Sequence, residues 1–135
     1  MKNCKKMDTL EINKGLLEEL FEQAKESPRL RMNYDLRTSS ADTSQRMLNA
    51  LLPGTEVPIH RHEDTTETVV CLSGRLVEMI YEELPDGSFK EVSKHILCPS
   101  EGQFGMQIPV GAWHTIQVLE PSVIFEAKDG AFVPR

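Results

Sequence analysis

The stretch Gly54-Thr55-Glu56-Val57-Pro58-Ile59-His60-Arg61-His62-Glu63-Asp64-Thr65-Thr66-Glu67 continues through Thr68-Val69-Val70-Cys71-Leu72-Ser73 to Gly74. Val57–His62 and Glu67–Leu72 read as short strands on either side of the polar turn Glu63–Thr66. Alternate residues of a strand share a face, so His60 and His62, about 6.6 Å apart along the backbone, aim two imidazoles at one point. A shared metal ion accounts for that pairing. Across the turn, Glu67 returns on the neighbouring strand with a carboxylate. His114, in Pro109-Val110-Gly111-Ala112-Trp113-His114, arrives from a third strand. Glu63 and Asp64 are alternative carboxylates, although both fall within the turn.

Three imidazoles and one carboxylate without thiolates suit a first-row ion such as Zn, Fe, Mn or Ni. On an octahedral ion, two positions then stay open for water or a bidentate ligand. One divalent ion per chain is the expectation. A lone His is ordinarily a satisfied surface or core residue; the weight lies in the set. By the same standard His95 reads as a surface or sheet residue. Trp113 should point to the opposite face of its strand from His114 and pack there. Cys71 reads as a small apolar filler. The polar candidates to line a ligand pocket are Arg46 or Asn49, which as neighbours of opposite parity do not both face inward, together with Gln107.

Outward from this centre, short strands alternate with turns. Gln45–Leu52 precedes Pro53-Gly54, Arg75–Glu83 precedes Pro85-Asp86-Gly87, and Phe89–Leu97, Met106–Ile108, His114–Leu119 and Val123–Ala127 follow. Some eight strands without intervening helices indicate an antiparallel sandwich or small barrel. Upstream, Asn13 is set to cap a helix reaching about Lys25, with Leu16, Leu17, Leu20, Phe21 and Ala24 on one face and Ser27-Pro28 ending it. Arg29–Ser44 reads as a polar, irregular connection.

The chain has 135 residues, 15 Lys plus Arg, 21 Asp plus Glu and a net charge of -6. That length supports one domain able to bury its own core without disulfides. The acidic balance argues against nucleic acid, whose binding requires clustered cations. Cys4, Cys71 and Cys98 form no Cys-x-x-Cys pair, which fits a reducing compartment. Lys2, Lys5 and Lys6 resemble the start of a signal peptide, but Asp8 and Glu11 interrupt before any apolar run, and no stretch approaches the roughly 20 apolar residues of a membrane span. A soluble, cytoplasmic protein without a membrane partner is expected.

Gly54, five residues, His60-x-His62, four residues, Glu67, six residues, Gly74 resembles the first sequence motif of the cupins residue for residue. Pro109-x-Gly111, two residues, His114 is similar to the second, with its upstream Gly displaced and its closing Asn replaced by Val118. The resemblance implies metal ligation by His60, His62, Glu67 and His114, and a mainly β cupin double-stranded β-helix, a jelly-roll barrel, with a short N-terminal α-helix. Residues 1–44 would be a helix and polar arm packed on a barrel of residues 45–135, within one structural domain. The segments Ser27-Pro28-Arg29-Leu30-Arg31, Asn33-Tyr34 and Gln45-Arg46-Met47-Leu48-Asn49-Ala50-Leu51 extend the likeness to the WbuC-type cupin-fold metalloproteins, which implies a link to surface polysaccharide. The expected partner is a small oxygen-rich molecule: a sugar, sugar nucleotide or organic acid. It would be bound and transformed, or bound without catalysis. The Leu16–Ala24 stripe and the exposed strands lead to the expectation of a homodimer.

Overall fold

The computed structural model describes residues 9–132; Cys4 and the Lys2, Lys5, Lys6 cluster lie outside them. Helix α1 spans Lys14–Glu26, with the Asn13 side chain accepting from the Leu16 N–H at 3.0 Å and the Ser27 N–H closing on the Ala24 carbonyl. Six strands follow: β1 Arg31–Asp35, β2 Ser44–Leu51, β3 Glu67–Glu83, β4 Phe89–Leu97, β5 Gly105–Ile108 and β6 Trp113–Asp129. They pair antiparallel in the order β1-β2-β6-β3-β4, and β5 joins β3.

Three sequence expectations are corrected here. Within the supposedly irregular Arg29–Ser44, β1 pairs with β2, Tyr34 opposite Leu48; Leu30, Met32, Tyr34 and Leu36, alternating with polar neighbours, were its apolar signal. Val57–His62 is no continuous strand: His60 alone makes a two-way bridge with His114, N–H to O at 3.0 and 2.8 Å. Pro58 cannot donate to a ladder and keeps its neighbours out of one. Finally, four expected short strands merge into two long ones, since β3 and β6 run 17 residues each without a break.

The merger is possible because the long strands bend at a shared irregularity. The β3–β6 register shifts between Cys71 and Leu76, around Gly74 at φ 99°. A Cβ at Gly74 would collide with the Pro121 carbonyl and with Ser122, so glycine is required both by conformation and by the close approach. Past the bend the inward parity changes, from Glu67, Val69 and Cys71 to Leu76, Glu78 and Ile80. One buried cluster draws Val69, Cys71, Leu51 and Ile124 from one side of the bend and Leu76, Leu97 and Val118 from the other. The halves of the sheet therefore face each other across a common interior, which is a jelly roll.

A second cluster, Leu20, Ala24, Tyr34, Leu48, Ala50 and Val123, lies between α1 and the outer face of β1, β2 and β6. The helical stripe is thus covered by the chain's own sheet. Among the described residues no helix is long and apolar enough to cross a membrane.

Candidate metal centre

His60 and His62 stand on the extended segment before the turn, Glu67 is the first residue of β3, and His114 is the second residue of β6. The His60–His114 bridge locks the two segments in register, and Gly111 N–H adds a bond to the His62 carbonyl at 2.8 Å. One ligand atom from each of the four residues then falls within 4.8 Å of the others. The ring centroids of His60 lie 5.2 Å from His62 and 4.2 Å from His114. Glu67 and His114 are each 3% exposed; the other two are half-buried.

The outer nitrogens of two rings are fixed by main chain. His60 Nδ1 meets the Pro58 carbonyl and His114 Nδ1 the Ala112 carbonyl, both at 2.9 Å. A carbonyl only accepts, so each Nδ1 carries the proton and each Nε2 presents a lone pair to the cluster. His114 Nε2 lies 3.1 Å and His62 Nε2 3.2 Å from the same Glu67 oxygen, Oε1. Acceptors converging on a carboxylate oxygen need a cation or a proton among them. The donor set, its tautomers and its burial fit one first-row metal ion.

Burial would raise the Glu67 carboxyl, but in the ion-free cluster a proton takes the cation's place between Oε1 and the imidazoles, and the resulting hydrogen bonds with His114 and His62, that from Glu126 and the charge of Lys128 together hold it well below the ordinary carboxylate range. Lys128 Nζ stands 3.7 Å from Glu67 Oε2. Glu126 goes the other way: burial first, then the Glu67 charge and their shared hydrogen bond, push its carboxyl up. One proton is therefore held between the two, on the Glu126 side. Asn49 Nδ2 donates to Glu126 Oε2 at 3.4 Å, extending the support of Glu67 outward by one residue.

Of the expected pocket residues, Asn49 faces the interior. Arg46 does not: it shares its strand face with Leu48 and Ala50, beneath α1, and its guanidinium is held by Ser44 O, Leu36 O and Asp42. Gln107 is exposed because the inward position beside it belongs to Ile108. Glu63 pairs with Arg61 at 2.8 Å in solvent, and neither it nor Asp64 joins the cluster. Trp113 packs on Phe89 at 5.0 Å with the Arg61 guanidinium 4.6 Å above its ring. His95 is exposed and bonded to Ser93. Cys71 is buried, and that burial pushes its thiol up to about 11, far from a reactive thiolate.

Sequence reasoning missed Glu78, Glu126 and Lys128. A signal existed for the first two, a lone charge inside the apolar runs Leu76–Ile80 and Val123–Ala127. A hollow of about 460 Å³ lies apart from the cluster, between Gly54–Val57 and Thr115–Val118, and none of the four ligand residues lines it.

A jelly roll whose interior gathers three histidines and a glutamate has the cupin fold, with a cluster able to hold one metal ion. The chain belongs to the family described as Domain of unknown function (DUF6016), whose model matches residues 12–93. No curated protein matches the sequence. Among solved structures, the chain is similar to YcfD, a ribosomal oxygenase from Escherichia coli, at 22% identity and a TM-score of 0.53 over 67% of this chain and 23% of that one. It is similar to the capsular polysaccharide assembling protein CapF from Staphylococcus aureus at 20% identity and 0.60, over 76% of this chain and 27% of that one. Likeness to an oxalate oxidase in complex with glycolate is 16% identity and 0.58, over 78% and 54%. At such identities the likeness is one of fold, and the chain spans less than two thirds of each of these relatives.

Proposed function

We propose that this protein binds one divalent first-row metal ion through His60, His62, Glu67 and His114, and uses the ion's open positions to hold a small oxygen-rich molecule. The observation that carries the reading is the convergence of four ligand atoms within 4.8 Å, with two imidazoles locked by main-chain carbonyls so that Nε2 faces the centre. When bound there, the ion supplies Lewis acidity and an anchor for ligand oxygens. The chain supplies the rest: Glu126 and Asn49 steady Glu67, and the sheet interior shields Glu67 and His114 from bulk water.

The ligand class is a sugar, sugar nucleotide or organic acid. CapF's association with capsular polysaccharide and the glycolate held by oxalate oxidase support the two ends of that range. The likeness of Ser27–Arg31 and Gln45–Leu51 to WbuC-type proteins supports a role linked to surface polysaccharide, carried out in the cytoplasm by a homodimer. Transformation of the ligand is favoured over binding alone because buried carboxyls, Glu78 and Glu126, stand beside the ligand set as groups for proton chemistry.

Calorimetric titration of glycolate, galactose and a sugar nucleotide into metal-loaded and chelator-stripped protein tests this. Binding confined to the loaded form is expected; equal affinity in both forms would remove the metal from the ligand site.

A further inference from the structure

Among the described residues three buried side-chain oxygens have no hydrogen-bond partner, Gln23 Oε1, Asn49 Oδ1 and Glu78 Oε1, and only the last belongs to a carboxyl. Glu78 sits in the middle of the apolar run Leu76-Val77-Glu78-Met79-Ile80 on β3, is 2% exposed, and has an Oε1 without a hydrogen-bond partner among the described residues. Leu76 belongs to the interior cluster and Ile80 packs against it, so strand alternation turns Glu78 inward with them. Its cross-strand neighbours are Ile116 on β6, packed on the same cluster, and His95 on β4, which is exposed and bonded to Ser93. Ile80 lies opposite His114. Glu78 therefore lies on the same inward face as His114, diagonal to it by one strand across and two residues along, roughly 7–8 Å away.

An apolar side chain of similar shape would fill this position without burying an unsatisfied oxygen. Retaining a carboxyl there, on the inward face that also carries His114, calls for something that comes and binds it. We propose that Glu78 is a ligand-contacting residue of this centre, its carboxyl hydrogen-bonding a hydroxyl or carboxyl group of the small molecule that the metal ion holds above it. The inference rests on the metal-dependent reading given above and adds the residue that reads the ligand. Burial, with the Glu67 charge and the neighbouring Glu126 carboxyl, holds the Glu78 carboxyl well above the ordinary range, which lets it donate as well as accept. It also answers a difficulty of the sequence, which offers no free His for proton chemistry at the site: Glu78 is a positioned acid within reach of a bound ligand.

The test compares metal-loaded wild type with E78M, which keeps the bulk and removes the polar group, and E78Q, which keeps the shape and removes the acidic proton. Metal per chain is measured by elemental analysis, and affinity by calorimetry for three probes: glycolate, D-glucuronate and glycerol. Both variants should hold one metal per chain. Wild type should bind at least one probe, with E78M weaker by tenfold or more and E78Q by threefold or more. Affinity within twofold of wild type in either folded variant, with metal in place, would make Glu78 a structural carboxyl and overturn the proposal; E78Q decides alone if E78M does not fold. Failure of loaded wild type to bind any of the probes would overturn it as well. Failure of the underlying reading is seen separately, as substoichiometric metal in wild type or as equal probe binding by stripped protein.

Discussion

At Glu67 and Glu78 the same interior drives two carboxyls in opposite directions. Glu67 overcomes its burial through His114, His62, Glu126 and Lys128, and so contributes stability that is present at neutral pH and lost as pH falls. Glu78 has burial against it first, then the Glu67 charge and the neighbouring Glu126 carboxyl, and no compensating partner at Oε1. Its folded value lies above the ordinary 4.5, so its ionisation in the unfolded chain costs folded stability as pH rises past that point. In chelator-stripped protein, the stability of E78Q relative to wild type should therefore climb with pH from about 4.5 upward; denaturant curves between pH 4 and 8 showing a constant difference would contradict the assignment. Glu126 acts through Glu67. Replacing it by Leu removes the shared hydrogen bond and should weaken metal binding about tenfold or more, read by competition with a chromophoric chelator, while the fold stays intact.

The elements explain which parts of this arrangement could be read in advance. Helix α1 carried its own signals, the Asn13 cap and the Leu16–Ala24 stripe, and both local and tertiary preferences agree there. Leu20 is fully buried beneath it. L20A should cost about 2–5 kcal/mol, seen in denaturant unfolding, and leave metal stoichiometry unchanged, because the helix lies on the far side of the sheet from the cluster. The four ligand residues were readable because two of them stand two apart on an extended segment, within a spacing that resembles the first cupin motif, and the others begin strands. Glu78, Glu126 and the choice of Asn49 over Arg46 were not, since they depend on parity through the bend at Gly74 and on the β2–β6 register, which turn chemistry alone does not set. Two of the three motif glycines at positive φ, Gly74 and Gly111, should behave differently. At Gly111, where a Cβ meets nothing within 4 Å, G111A should cost only the left-handed penalty of about 1–2 kcal/mol. G74A must also push aside the Pro121 carbonyl and Ser122, and should lower the melting temperature well beyond G111A; equal losses would mean that the strands do not cross so closely.

For the molecule as a whole, the surface left open differs from what the sequence implied. The helical stripe that argued for a partner is covered from within, leaving β4 at the sheet edge with Val92 59% and Ile96 42% exposed. A homodimer remains the expected assembly, and light scattering should return twice the chain mass of 15.3 kDa; a mass of one chain would reject it. Function turns on a single property, the capacity of His60, His62, Glu67 and His114 to hold an ion between the two halves of the bent sheet. The direct measurement is elemental analysis of untagged protein, wild type beside the H60A/H114A double variant, with circular dichroism to verify the fold. The account predicts close to one first-row metal ion per wild-type chain and almost none in the variant, with β-rich spectra in both. Undiminished metal in the folded double variant would contradict it.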